Sequence, residues 1–513
     1  MLPFHNASKL PFGLWTILVA TLDALQASAQ GNTVSRSNST ISLAWYTGWH
    51  ATDFPLAEVS WDKYTHLHWA FAVTTPDDDM ISLDPADAEL LPKFVSLAHQ
   101  NGVKAGISIG GWTGSQWFSP HVRTAENRTA LVKAVTSLAK TYNLDGLDFD
   151  WEFPGLQGIG CNEVHPNDTV NFLSFLQELR NDTTGKNLVL SAATLDTPWV
   201  NSNGSVSTDL SAFSKVLDFI AIMNYDVRSN PSIGAGSSSP LDDSCAPPEA
   251  SFGSAMSAVK MWTAAGMPAD QIVLGVPAYG HSFVLTSTPA VNTSNTNGSA
   301  PDVTLPVYPQ YNPNVERRGD KWDGDGGLDV CGNMTGPGGT FNYWGLVEEG
   351  FLNKDGTPAK GVQYRFDNCS QTPTLYNTTT GVYVSYDDVQ SYALKGGFIH
   401  TAGLGGFAMW EAGGDLNDVL LNSIRLACAP TLFPATQSVE TLFNTMTDDS
   451  PPSPGARKAY PPGAMKSPAQ AIADAWKRES QESQERWRKL DAEAKARYSN
   501  PPHLLRLDQK TKM

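Results

Sequence analysis

The chain alternates short apolar runs of strand length with longer stretches of helical period. Ile41 to Tyr46, Thr65 to Val73, Lys104 to Ile109, Leu144 to Pro154, Leu188 to Ala193, Phe219 to Asn224, Ile272 to Val276 and Gly406 to Trp410 read as strands. Between them, Ala86 to His99, Ala125 to Tyr142, Asn167 to Arg180, Ser251 to Ala265 and Asp387 to Leu394 read as helices, with Gly102 as a stop after the first. Strands that alternate with helices make parallel βαβ units. Eight strands in this order predict an α/β fold, a closed (β/α)8 TIM barrel.

The run Leu-Asp-Gly-Leu-Asp-Phe-Asp-Trp-Glu-Phe-Pro, residues 144 to 154, has the sharpest pattern. Successive side chains of a strand point to opposite faces, so Asp148, Asp150 and Glu152 share one face, and Leu147, Phe149 and Trp151 share the other. Asp145 falls outside that register and is expected at the strand's start. Acids crowded on one face must share protons or find partners, and this drives their pKa values apart. Separated pKa values supply a proton donor and an ionised helper from the same side-chain chemistry. A solvated acidic face is the plain alternative, but it leaves Leu147, Phe149 and Trp151 unaccounted for unless they pack on something large. A hard-cation site lacks the Gly-punctuated Asp/Asn loop such sites use. His66 and His68 lie two apart on a strand and could bind a metal, yet no third ligand is near in sequence, which favours packing or hydrogen bonding.

The spacing Asp-x-x-Asp-x-Asp-x-Glu, residues 145 to 152, resembles the active-site strand of the family-18 glycoside hydrolases, the chitinase family. Ser108-Ile109-Gly110-Gly111 is similar to that family's Ser-x-Gly-Gly, and Met223-Asn224-Tyr225-Asp226 to its Met-x-Tyr-Asp. All three fall at the C-terminal ends of strands, where barrel enzymes keep their sites. The resemblance covers roughly Ile41 to Leu426. It implies a general acid at Glu152 and an acetamide-orienting carboxylate at Asp150, backed by Asp148. Tyr225 would supply a phenol donor. Trp410 would be the floor under the cleaved sugar. Tyr46, Phe71, Gly111, Trp112, Met223, Asp226 and Tyr279 would line the same pocket. The chain departs from the family's usual residues at Phe153, where Tyr is common, and at His281, where Arg is frequent. Val227-Arg228-Ser229 stands after Asp226 in place of His-Gly.

Between the seventh and eighth strands lie over 100 residues, too many for a plain loop. Residues 283–382 resemble the α+β insertion of one chitinase subgroup, which walls a deep cleft. The barrel is expected over 41–282 and 383–430, followed by a Pro-rich linker at 431–466 and a slightly basic, helix-prone tail at 467–513.

Composition bears on setting. The 513 residues carry a net charge of −17, which disfavours nucleic acid as a partner. Lys9, the apolar run Leu10 to Leu22 and Ala27-Ser28-Ala29 form a signal-peptide pattern over 1–29, with a leader at 30–40. Export to the extracellular space without a membrane anchor is therefore expected. Sequons at Asn38, Asn127, Asn167, Asn181, Asn203, Asn292, Asn297, Asn333, Asn368 and Asn377 fit a secreted glycoprotein. The five cysteines have no metal-type spacing. Cys161 is expected to pair with Cys245 and Cys331 with Cys369, leaving Cys428 as a free thiol.

The resemblance implies a monomeric chitinase, without cofactor or metal, that cleaves β-1,4 links between N-acetylglucosamine units with retention. Its partners would be chitin or chito-oligosaccharides. A non-catalytic chitin-binding relative and an endo-N-acetylglucosaminidase acting on N-glycans are the alternatives.

Overall fold

A computed structural model of the chain describes residues 40–76, 80–227, 231–286, 305–315 and 317–429. The expected signal peptide, nearly all of the leader, the linker and the tail lie outside the described residues.

Eight parallel strands close a (β/α)8 TIM barrel. They are β1 Ile41–Thr47, β2 His66–Thr74, β3 Lys104–Gly110, β4 Gly146–Asp150, β5 Val189–Thr194, β6 Phe219–Ile222, β7 Ile272–Pro277 and β8 Gly406–Trp410. Each pairs with its sequence neighbour, and β1 closes the ring on β8, with Ile41 opposite Gly406. Ile81–Leu83 adds a short antiparallel strand outside β2.

Helices α1 Pro85–Gln100, α2 Ala125–Tyr142, α3 Asp168–Asn181, α4 Ala255–Ala264, α5 Val389–Thr401 and α6 Val419–Ala427 cover the barrel. Their starts follow capping chemistry. Asp84 accepts from Ala86 N with Pro85 at the first turn, and Thr124 accepts from Asn127 N. Ser254 with Ser257, and Asp388 with Ser391, form capping boxes. No helix among the described residues is long and apolar enough to cross a membrane.

The period of two on the strands sorts two cores. Outward residues such as Ile107, Ile109, Leu147, Phe149, Leu190, Ile220 and Ile222 pack under the helices. Inward residues Leu43, Trp45, Ala70, Ala193, Phe219, Ala221, Val273 and Ala408 fill the barrel. Trp151, just past β4, is also buried in the outer layer, stacked on Phe118 at 5.1 Å.

β7 runs through Ala278 directly into a second sheet. This five-stranded antiparallel sheet has the order Thr340–Asn342, Tyr279–Val284, Val382–Ser385, Thr372–Asn377, Val362–Asp367. The sheet thus begins at Tyr279 and ends at Ser385, a few residues outside the 283–382 span read from composition.

The disulfides correct the expected pairing. Cys161 bonds to Cys331 and Cys245 to Cys369, with Cα separations of 5.5 and 5.7 Å. Cys161 and Cys245 sit on loops after β4 and β6, with β5 standing between those strands. The insertion reaches each loop with a different turn. Cys331 lies in the hairpin Gly327–Leu328/Met334–Thr335, and Cys369 lies between Val362–Asp367 and Thr372–Asn377. Each bridge therefore joins barrel to insertion, where like had been expected to pair with like. Cys428 is free and buried.

Candidate active site

Lateral strand register builds the floor of the site. Ser108 on β3, Asp148 on β4 and Ser191 on β5 are direct neighbours. Both serine hydroxyls therefore reach Asp148, Ser108 at 2.7 Å and Ser191 at 2.6 Å. Trp45 Nε1 donates to the same carboxylate at 3.1 Å, and His68 Nδ1 stands 3.6 Å away at ion-pair distance. His68 fits there because Gly106 faces it, and a Cβ on Gly106 would lie 2.5 Å from the ring. Burial alone would push Asp148 up. His68 and the two hydroxyls outweigh it and hold the acid below its ordinary range, so it is anionic.

Asp150 and Glu152 follow. β4 ends at Asp150, so Glu152 lies two residues beyond it, in the loop. Ser115 pins this exit: its hydroxyl donates to Asp150 O at 2.9 Å and accepts from Glu152 N at 3.0 Å. Asn162 Nδ2 donates to Glu152 O at 2.7 Å. Gly110 keeps the strand ends close, since a Cβ there would meet Asp150 O at 2.2 Å. Asp150 is 4% exposed, and its Oδ1 has no hydrogen-bond partner. Burial, Glu152 and Asp148, in that order, push Asp150 well up. Burial and the charge of Asp226 raise Glu152 to about 8. At neutral pH the floor therefore holds one charge, on Asp148, under two protonated acids.

Tyr225 and Asp226 follow β6. Burial and the fields of Asp150, Asp226, Glu152 and Asp148 drive the Tyr225 phenol far up, so it remains a hydrogen-bond donor. Asp226 has left-handed backbone, φ +56°, and Tyr279 Oη donates to its Oδ1 at 2.6 Å. His281 Nε2 meets the same oxygen at 2.7 Å.

An aromatic wall stands over the acids. Phe71 stacks on Trp410 with centroids 5.6 Å apart, and exposed Trp49 stacks on Phe71 at 6.0 Å. Gly111, at φ +78°, makes room for Phe71, since a Cβ would come within 2.8 Å of that ring. Trp112 is exposed beside it, and Met223 packs against the inward-facing barrel residues.

Tyr46 is a correction. It is 1% exposed, packs on Trp69 and Phe94 under the helices, and donates to Phe54 O at 2.8 Å. The alternation along β1 turns Tyr46 outward and Trp45 inward. Trp45, Ser191, Ser115 and Trp49 were not among the expected site residues. For Trp45 the available signal was its place two residues after Leu43 on one strand face.

Asp145 starts β4 as expected, accepting from His99 Nε2 and Ala105 N, both at 2.8 Å. His66 does not join the acids. It bonds Thr65 Oγ1 at 2.8 Å, and burial lowers its pKa to about 3. Among the described residues no group of three or more His, Cys, Asp or Glu side chains could hold a metal ion.

Residues 42–415 match the profile of Glycosyl hydrolases family 18. The chain is 46% identical over 401 residues to a chitinase-like effector of Moniliophthora perniciosa, a match spanning 78% of this chain and 89% of that protein. It is 29% identical over 403 residues to chitotriosidase-1 of Mus musculus, spanning 73% of each. A crystal structure of a chitinase from Rhizomucor miehei is similar, with TM-score 0.66 and 30% identity, covering 76% of this chain and 100% of that one.

Proposed function

The chain belongs to glycosyl hydrolases family 18, and we propose that it is a secreted chitinase hydrolysing β-1,4 links between N-acetylglucosamine units with retention. The observation that carries this reading is the division of labour among the acids of β4. Glu152 is held protonated near neutral pH, while Asp148 is anionic and sealed in.

Retention with a protein nucleophile needs a second, reachable carboxylate. Asp148 is fully buried and already accepts from Trp45, Ser108 and Ser191. Asp150 is held neutral. The substrate's own acetamide oxygen is then the nucleophile. Glu152 gives its proton to the glycosidic oxygen as the acetamide oxygen bonds to the anomeric carbon, and the leaving chain departs as an alcohol. Asp150 accepts the acetamide N–H and passes its own proton towards Asp148. The anion left on Asp150 stabilises the cyclic oxazolinium. Tyr225 donates to the acetamide oxygen and holds it in line. Water then attacks the anomeric carbon as its bond to the acetamide oxygen breaks, the water's proton goes to Glu152, and the proton passed towards Asp148 returns to Asp150, so both acids are restored. An intramolecular nucleophile held this way contributes on the order of 7 kcal/mol at the ideal limit. Trp410 and Phe71 offer flat apolar faces to the pyranose.

A second reading is supported by the similarity to the chitinase-like effector of Moniliophthora perniciosa: a chain that keeps the sugar-binding wall and acts by binding. Product analysis on chitotetraose beside a calorimetric titration separates the two. Retained binding with no cleavage by the wild type would replace the first reading with the second. Cleavage of N-glycans in preference to chito-oligosaccharides would instead point to the endo-N-acetylglucosaminidase reading.

A further inference from the structure

A fully buried ion pair lies apart from the acids of β4. Lys395 Nζ, on α5, reaches Asp387 Oδ1 at 2.6 Å, and neither side chain is exposed. Asp387 stands where the chain leaves the insertion, two residues past Val382–Ser385 and one before the cap of α5 at Asp388. Its second oxygen, Oδ2, accepts from the hydroxyl of Ser239, which is buried on the returning limb of the loop after β6. Beside it, Ser238 N donates to Ser385 Oγ at 3.1 Å. The returning limb in turn grips the start of the same loop. Asn224 Nδ2 donates to Pro240 O at 3.2 Å, and Val227 N donates to Ser238 O at 2.9 Å. These two bonds bracket Tyr225 and Asp226. The path from Lys395 to Tyr225 is therefore continuous: an ion pair to Asp387, a hydrogen bond to Ser239, a peptide link to Pro240, a hydrogen bond to Asn224 and a peptide link to Tyr225.

We propose that Lys395 and Asp387 are positioning residues, whose ion pair fixes the returning limb of the loop after β6 and so holds the Tyr225 phenol in line with the substrate's acetamide. The inference rests on the reading of Tyr225 as the donor to the acetamide oxygen. Stability alone does not account for the pair, since well-packed apolar side chains commonly replace a buried ion pair at little or no cost to stability. What apolar side chains do not supply is direction. With Oδ1 held by the ammonium, the Asp387 carboxylate has one orientation, and its Oδ2 then marks where Ser239 must lie. In-line attack is intolerant of drift, and a misplacement of about 1 Å costs on the order of 10²-fold in rate. The aromatic wall of Phe71 and Trp410 stands on β2 and β8, away from this path, so sugar binding is independent of it.

The test uses the full chain in two forms. Asp387→Leu combined with Lys395→Met exchanges the pair for apolar side chains, and Ser239→Ala removes only the hydroxyl link. In both, kcat on a soluble chito-oligosaccharide should fall by about 10- to 100-fold. Affinity for a thiazoline mimic of the oxazolinium should fall by a similar factor, while chitotetraose affinity stays within a few-fold of wild type. Unchanged kcat and thiazoline affinity in a folded variant would overturn the proposal. So would an equal loss of chitotetraose binding, because a general loosening weakens both ligands alike. If the double variant does not fold, Ser239→Ala decides by the same criteria. The phenol carbon of Tyr225, assigned with Tyr225→Phe and followed by ¹³C NMR, should shift in both forms, and a resonance that stays in place would overturn the proposal without any turnover. An inactive wild type would count against the proposed hydrolysis, while the Tyr225 resonance would still decide the positioning.

Discussion

Trp45 Nε1 and Asp148 Oδ2, 103 residues apart in sequence, are joined at 3.1 Å inside the barrel. The bond gives a fully buried carboxylate one of its three hydrogen-bond donors, beside Ser108 and Ser191. Trp45→Phe keeps the aromatic contact with Trp410 and removes the donor. The expected outcome is a loss of roughly 1–3 kcal/mol in stability, the range for leaving a buried polar group short of a partner. Urea unfolding measures it, and an unchanged midpoint would show that the serines and His68 satisfy Asp148 without Trp45.

Glu152→Gln keeps the side chain's shape and removes its proton. Turnover should fall by about 10²–10⁴, while chitotetraose affinity stays within a few-fold of wild type. Calorimetry and product assays read the two effects separately. Equal loss of both would mean that Glu152 serves binding.

The same residue makes a claim about stability. Glu152 is raised from the ordinary 4.5 to about 8, so between those values the folded chain binds more protons than the unfolded one. Stability from this group is full below about pH 4.5 and is lost as pH climbs through about 8. Glu152→Gln should therefore gain thermal stability over wild type as pH rises across that window, by on the order of 1–3 °C. A Tm difference that stays flat with pH would contradict the raised value.

Fully deacetylated oligomers should not be cut, because they lack the nucleophile. A thiazoline mimic of the oxazolinium should inhibit competitively. Mass spectrometry showing sugar bonded to Asp148, Asp150 or Glu152 would mean that the protein supplies the nucleophile.

The two disulfides span 170 and 124 residues of sequence. Closing loops this long constrains the unfolded chain by an amount on the order of 4–5 kcal/mol each in the chain-entropy picture. Replacing Cys331 or Cys369 with Ser should lower the Tm measurably. Peptide mapping should still find Cys428 unbridged, and alkylation of it should wait for unfolding, since it is buried with its thiol pushed up to about 12.

The barrel and its acids were legible because one strand carries both signals. On β4 the alternation of Asp with Leu and Phe states which face is inward and what chemistry it bears. β1 offers two adjacent aromatics, Trp45 and Tyr46, and either could face the pocket. Only the pairing of Leu43 with His66 and of Ile41 with Gly406 closes the ring and decides it. The cysteine partners were not legible, because they depend on the path of the insertion over the barrel loops and not on spacing. His281 reads as a simple departure from Arg until the turn at Asp226 brings the two together.

The insertion leaves and rejoins the barrel at adjacent points. Tyr279–Val284 and Val382–Ser385 pair with each other, with His281 opposite Ser385. About a hundred residues therefore hang from a junction no wider than a hairpin. In evolutionary terms such a junction is a socket: a new module can be seated there, enlarged or traded without reopening the eight-stranded ring. Here the socket's own rim carries Tyr279 and His281, both bonded to Asp226. Any exchange of the module that rewrites the rim therefore also replaces these two partners of Asp226 at the barrel mouth.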